Sequence, residues 1–362
     1  MVDPGPAASD LSAPPPLIDL IPVPPFIVWD ITYACPLRCS HCYSESGRRS
    51  SRQLAGPDLM RVTDALAEAA PVGVVLAGGE PFMVRDLAAV VRRLSAAGIQ
   101  VTLYTGGWGL SAARAESVMD GLTRVVVSLD GASAGVHDRI RGRTGSFAQA
   151  LGALAHLDGL IAARRTQGKP APILGVDFVA MRSNFHELRD FCSDIAPQFP
   201  QLTSISFGAV IPTGLASRPT FAARELLDEA QLAALAGSEL RRELRSLAPT
   251  GLEVRTSDNA MFQMRPDLIA AGMDIPPLQI EPDGQARIMP VYEGVVGSLL
   301  DEPLAVLWAR AVSAWDDPFR VEALREARSM VEWAEATRRI DLRFGTDDDR
   351  ERIARRRQYP DG

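Results

Sequence analysis

From Phe26 to Leu247, short β-rich runs alternate six times with longer stretches of helical periodicity, and this alternation limits the fold more than any other feature of the chain. The expected strands are residues 27–32, 73–77, 100–104, 124–129, 173–180 and 203–207. Helices are expected between and after them, at 57–69, 85–97, 112–121, 147–166, 185–196 and 223–247. Strands joined by helical crossovers pair parallel, and six such units close part of the way around a barrel. The predicted class is therefore α/β, a partial (β/α)6 barrel of the TIM type. At 362 residues, 46% hydrophobic and 23% charged, the chain can fill such a barrel and still carry an extension.

Side-chain parity along the strands says what the barrel encloses. Residues two apart share a face, and the polar ones fall in register: Asp30 with Thr32, Thr102 with Tyr104, Ser128 with Asp130, Asp177 alone, and Ser204 with Ser206. Their neighbours Ile31, Leu103, Val127, Val176, Phe178 and Ile205 are expected to face the helices. A closed barrel is ordinarily packed with branched apolar side chains. A polar group buried there without a partner costs about 1–3 kcal/mol, so this lumen is expected to hold something polar. Thr32, Tyr104 and Asp130 can meet water at strand ends. Asp177, mid-strand between apolar residues, is either a ligand contact or a structural carboxylate.

Directly after the first strand comes Cys35, three residues, Cys39, two residues, Cys42. Three thiolates this close can hold three irons of a four-iron cluster and leave the fourth without a protein ligand. The same spacing also suits zinc, with His41 as a nitrogen ligand, or a disulfide. Only four Cys occur in all. A disulfide framework is thus not available, and a reducing, cytoplasmic compartment is expected. A net charge of −7 argues against a nucleic-acid partner. No signal peptide and no uninterrupted membrane span is legible, so no membrane partner is expected. Residues 1–25, rich in Pro, are expected to be extended or disordered. The run Arg355-Arg356-Arg357 is expected to be a solvated tail, with a docking patch for an acidic partner as the alternative.

Three features together resemble the radical S-adenosylmethionine (SAM) superfamily. They are the apolar run Phe26-Ile27-Val28-Trp29 entering the Cys loop, Tyr43 after the third Cys, and Gly78-Gly79-Glu80-Pro81 ending the second apolar run. The resemblance implies that Cys35, Cys39 and Cys42 hold a 4Fe–4S cluster whose open iron is chelated by SAM. It also implies reductive cleavage of SAM to a 5′-deoxyadenosyl radical that abstracts hydrogen from an unactivated carbon. Tyr43 then matches a position near the adenine. Gly78, Gly79 and Glu80 match the motif that receives the SAM ammonium, Ser128 and Asp130 a motif facing its ribose and methionine part, and Arg141 an arginine that pairs with its carboxylate. Thr105, in Thr105-Gly106-Gly107, joins these contacts, although relatives often read Thr-Asn-Gly there.

The run from Ser128 to Phe147, with His137-Asp138 inside it, resembles the peptide-modifying branch that includes pyrroloquinoline quinone peptide cyclases and mycofactocin maturases. That branch usually carries a C-terminal SPASM domain whose Cys residues hold further clusters. A weaker likeness resumes over residues 278–309, but Leu278 and Met289 stand where Cys would be, and no Cys follows Cys192. The expected organisation is an N-terminal segment 1–25, a barrel 26–250, and a degenerate SPASM- or twitch-like domain 251–362 that serves as lid or substrate platform. One cluster per chain is expected, reduced by a partner such as flavodoxin or ferredoxin. The implied substrate is a peptide or peptide-derived natural product. A small metabolite such as a sugar or amino-acid derivative is the alternative, and a catalytically idle scaffold the third reading. Asp177 and Cys192 are the candidate catalytic residues, Cys192 either as a hydrogen-donating thiol or as a small buried hydrophobe. His137 is either an acid or base near SAM or an exposed capping residue.

Overall fold

The computed structural model describes residues 21–50, 52–270 and 276–359. Ten strands form one sheet: β1 (Phe26–Thr32), β2 (Gly73–Gly78), β3 (Gln100–Thr105), β4 (Arg124–Ser128), β5 (Ile173–Ala180), β6 (Leu202–Ala209), β7 (Glu253–Ser257), β8 (Leu278–Ile280), β9 (Gln285–Met289) and β10 (Tyr292–Ser298). Their order is β10-β9-β8-β1-β2-β3-β4-β5-β6-β7. From β1 to β7 every neighbouring pair is parallel. The six expected strands are present within a few residues, and the class is the expected α/β partial barrel.

Three additions were not foreseen. The seventh strand, β7, pairs parallel with β6 at one edge, so the sheet extends past the expected boundary at residue 250. At the other edge β8 pairs parallel with β1, and β9 and β10 continue antiparallel from it. A helix also forms over Ala134–Arg141, started by Ser133, whose hydroxyl accepts from the Val136 amide, and stopped by Gly142 at φ 65.

Two expected helices are interrupted. The run after β5 winds through 3-10, α and π turns as far as Gln198. The stretch expected to be continuous from 223 to 247 is three helices, Pro219–Glu225, Glu229–Ala236 and Ser238–Leu247. Asp228 forms a capping box with Gln231, which starts a new helix instead of continuing the old one. Gly237 ends that helix with extended backbone.

Parity along the strands is as expected. Ile31, Leu103, Val127, Val176, Phe178 and Ile205 are fully buried in the apolar layer between sheet and helices. There Phe178, Phe191 and Phe207 meet edge to face at 5.3–5.9 Å between ring centroids. Of the expected extended N-terminus, residues 1–20 lie outside the described residues, while the Ile21 carbonyl accepts from the Trp308 indole at 2.8 Å. The Arg355-Arg356-Arg357 run needs correction. Arg355 is exposed, but the Arg356 side chain is 5% exposed and donates to Glu45 at 2.8 Å. Tertiary contact with the Cys loop, invisible in a local charge run, buries it.

Candidate metal centre and lumen

The loop carrying Cys35, Cys39 and Cys42 is tied down by backbone on every side. The amides of Arg38 and Ser40 donate to Arg141 and Ile140 at the end of the 134–141 helix, and Leu215 donates to Cys42. The amides of Gly79 and Glu80 reach the carbonyls of Thr32 and Ala34 at 2.6 and 2.9 Å. A Cβ at Gly79 would collide with that Ala34 carbonyl, so this close approach requires glycine. Gly78 and Gly79 therefore brace the loop.

All three thiols are free and partly buried. Burial pushes Cys35 up to about 12, with Cys39 adding repulsion. Burial raises Cys39 to about 11 against the pull of Arg141, whose Nη1 is 3.8 Å from the sulfur. Ser44 Oγ lies 3.6 Å from the Cys42 sulfur. Among the described residues no three His, Cys, Asp or Glu side chains gather as ligands of a single ion. A four-iron cluster makes no such demand, because each thiolate binds its own iron. Three unpaired thiols, with a guanidinium and a hydroxyl beside two of them, fit such a group: the metal displaces the thiol protons and the cation offsets part of the added charge.

Arg141 is in turn held by Asp130, Nε to Oδ2 at 2.7 Å. Asp130 is fully buried. Its Oδ1 accepts from the Val179 amide at 3.0 Å, its own amide donates to His137 Nδ1 at 3.1 Å, and its carbonyl accepts from Asn184 Nδ2 at 3.1 Å. Burial alone would raise its pKa, but Arg141 and His41 hold it below the ordinary carboxylate value. His41 Nε2 is 3.6 Å from Oδ2, and burial lowers the imidazole to about 4. His137 is buried, not exposed, and is likewise lowered to about 4 by burial.

Glu80 is also committed within the chain. Its Oε1 accepts from Thr105 Oγ1 at 2.8 Å and from the Phe82 amide at 3.2 Å, and its Oε2 accepts from the Gly106 amide at 2.9 Å. Burial still raises it to about 7. Gly106, where relatives often have Asn, thus offers its backbone to the GGEP glutamate. The Tyr43 hydroxyl donates to Asp30 Oδ1 at 2.5 Å, and Gln279 Nε2 donates to Asp30 Oδ2 at 2.7 Å. Asp30 is raised to about 7 by burial, against the lowering effect of the Tyr43 bond. Each of Tyr43, Glu80, Asp130 and Arg141 therefore has an internal partner. Ser128 remains partly exposed, paired in register with Asp177 across β4 and β5.

Asp177 differs from these. Among the described residues its carboxylate has no hydrogen-bond partner, and burial, then repulsion from Asp130, raise it to about 6. Arg141 and Arg124 pull the other way. Cys192 lies elsewhere. It is fully buried in the helical run whose Phe191 packs on Phe178, so the sheet separates it from the Asp177 face. That position removes it from the candidate hydrogen donors and leaves the small buried hydrophobe.

Sequence reasoning missed Gln279 and the ion pairs that join the Cys loop to the C-terminal segments. A polar side chain in the middle of the three-residue run Leu278–Ile280 was the available signal. Beyond it, Glu281 accepts from the Tyr33 hydroxyl at 2.8 Å and pairs with Arg287 at 3.3 Å. Arg287 pairs with Glu293 at 2.9 Å, Glu293 with Arg352 at 2.6 Å, and Arg352 also pairs with Glu45.

Residues 29–161 match the family model of the radical SAM superfamily. The chain carries a radical SAM domain. It is 33% identical over 168 residues to mycofactocin maturase MftC of Mycolicibacterium smegmatis, a match covering 46% of this chain and 40% of that relative. It is 31% identical over 170 residues to the PqqA peptide cyclase of Bradyrhizobium diazoefficiens, covering 46% and 42%. The chain thus spans less than half the length of these curated relatives. Streptococcus suis SuiB, solved bound to its precursor peptide SuiA, shares the fold at a TM-score of 0.60 and 15% identity, over 87% of this chain and 72% of that one. The enzyme anSMEcpe with bound AdoMet does so at 0.53 and 10%, over 91% and 99%. The group associated with a radical SAM domain is a 4Fe–4S cluster with SAM. Among the described residues no helix is long and apolar enough to cross a membrane.

Proposed function

We propose that this protein is a radical SAM enzyme that modifies a peptide or peptide-derived natural product at a carbon–hydrogen bond, with one 4Fe–4S cluster per chain. The observation that carries the reading is the set of three free thiols beside the Arg141–Asp130 pair, at the mouth of a polar-lined parallel half-barrel. When bound, the cluster and SAM supply reductive cleavage of a carbon–sulfur bond and hydrogen abstraction from an unactivated carbon.

Cys35, Cys39 and Cys42 would hold the cluster. Arg141 places positive charge at Cys39, and Asp130 fixes its direction. Glu80 locks the loops after β2 and β3 together. Ser128 and Asp177, on neighbouring strands of the lumen face, are left to bind polar groups of SAM or substrate. Leu278 and Met289 are fully buried apolar packing. Together with the lack of Cys beyond Cys192, this supports a C-terminal segment kept as lid or platform and no second cluster. The relatives named as a peptide cyclase and as a protein bound to a precursor peptide favour a peptide substrate over a small metabolite.

Anaerobic reconstitution tests the reading. The expected result is about four irons per chain, and 5′-deoxyadenosine release with SAM and a strong reductant that is lost in Cys35→Ala. Zinc in place of iron, or release no greater than in Cys35→Ala, overturns it. Incubation with candidate precursor peptides and mass spectrometry then tests the substrate class. A mass change confined to small metabolites overturns the peptide assignment.

A further inference from the structure

Three residues beyond Cys42 the chain buries a carboxylate on a left-handed turn. Glu45 is 4% exposed and sits at φ 53, a backbone conformation that residues other than glycine rarely adopt. Two arginines from the far end of the chain hold it there. Arg352 donates to its Oε1, and Arg356 donates to the same oxygen through Nε and Nη2 at 3.1 and 2.8 Å. Both arginines are fixed in turn. Arg352 pairs with Glu293 at 2.6 Å and with Asp349 at 3.0 Å, and Arg356 Nη1 donates to Ser217 Oγ at 3.3 Å. The tail that carries them is anchored at Tyr359, whose hydroxyl donates to Glu225 at 2.6 Å.

The turn at Glu45 aims the residue before it. Ser44, 2% exposed, places its Oγ 3.6 Å from the Cys42 sulfur and 2.7 Å from Ser46 Oγ. A serine hydroxyl has one proton to give, and a thiolate can only accept. Metal binding removes the Cys42 proton, so Ser44 then donates to the sulfur and Ser46 to Ser44. The turn over residues 214–217 fastens the same stretch. The Leu215 amide donates to the Cys42 carbonyl at 3.1 Å, and a Cβ at Gly214 would strike the Tyr43 carbonyl. Since Ser217 of that turn accepts from Arg356, the tail and the turn act on residues 42–45 as one clamp.

We propose that the Ser44 hydroxyl donates to the Cys42 thiolate and raises the reduction potential of the cluster, and that Arg352 and Arg356 are positioning residues that keep this hydroxyl aimed by gripping Glu45. The proposal rests on the function proposed above. A hydrogen bond to a cluster sulfur favours the reduced, more negative state. Reduction adds one electron, supplied in the test by dithionite, and makes or breaks no bond in the protein. The competing account is that the two arginines act on the cluster through their charge. Their partners argue against it, because Glu45, Glu293 and Asp349 already meet those charges.

The test uses the reconstituted full chain and reads the midpoint potential of its cluster by electron paramagnetic resonance during a dithionite titration without SAM. Ser44→Ala should make the cluster about tenfold harder to reduce, a fall of about 59 mV for one electron. Arg352→Lys/Arg356→Lys keeps both charges but loses the planar forks. It should move the potential in the same direction, and adding it to Ser44→Ala should lower the potential no further. Should that double variant lose its iron, Arg356→Lys alone takes its place, with a smaller fall expected. A Ser44→Ala potential equal to the parent's overturns the proposal. So does a lysine variant that leaves the potential unchanged, or one that shifts it as much with Ala at position 44 as with Ser. A parent that holds the cluster and shows these shifts but releases no 5′-deoxyadenosine with SAM sinks the proposed function alone, since the potential is read without SAM. Zinc in place of iron overturns both.

Discussion

Two carboxylates face the same lumen from neighbouring strands and stand in opposite states. Asp130, just beyond β4, is surrounded by the Arg141 guanidinium, the His41 ring and the Val179 amide, and its pKa lies below the ordinary value. Asp177, inside β5, has no hydrogen-bond partner among the described residues and is raised to about 6 by burial. A charge whose partners all come from the chain belongs to the architecture. Asp177 is half-buried and left by the chain without a hydrogen bond, so its carboxylate is open to a ligand. The same contrast separates Glu80, held by three donors, from Ser128, which stays open to the lumen.

If the contrast is real, Asp130→Ala should do the most damage. It leaves Arg141 buried without its carboxylate, and removal of one partner from a buried pair costs about 3–5 kcal/mol. Urea unfolding of the metal-free protein measures this, and a loss well under that range would show that Arg141 finds another partner. Next comes Tyr43→Phe. It removes the 2.5 Å bond to Asp30 and, on the scale of bonds to charged groups, should cost about 1.5–3 kcal/mol in the same assay.

Asp177→Asn sharpens the comparison from the other side. The folded carboxyl is raised to about 6, above its ordinary value of 3.8. Between those values the native state holds more protons than the unfolded state, so stability falls as pH rises through that window. The Asn variant should lose this slope and be as stable as the parent or more so near neutral pH, while substrate processing fails. A variant whose stability follows the parent at every pH would make Asp177 an ordinary solvated carboxylate. The smallest expected effect is from Gly106→Asn, which restores the residue found in relatives. Its backbone amide can still reach Glu80, and a Cβ there would stand 3.0 Å from a Leu37 methyl, so iron content should change little.

Much of this molecule could be read before folding. The six strand–helix repeats, the inner and outer faces of the strands, and the thiol spacing all follow from periodicities within a few residues of one another. Such signals survive in a linear text because pleat and helix geometry impose them locally. Gln279 illustrates the other kind of information. Its role follows from β8 pairing with β1, some 250 positions away in the chain, and nothing near Leu278 specifies that neighbour. Arg356 reads as one of three solvated arginines, yet it is buried against Glu45 on the far side of the sequence.

Sequence alone therefore determined the parallel α/β class, the polar lumen and the three thiols, because each is written in residue type at short spacing. Only the tertiary structure decided which polar groups are already partnered, since hydrogen bonds and ion pairs between distant segments depend on angstrom-scale geometry that no local pattern encodes. That division leaves Asp130 held by the chain and Asp177 without a hydrogen bond among the described residues, and it is the distinction on which the proposed roles of the two carboxylates rest.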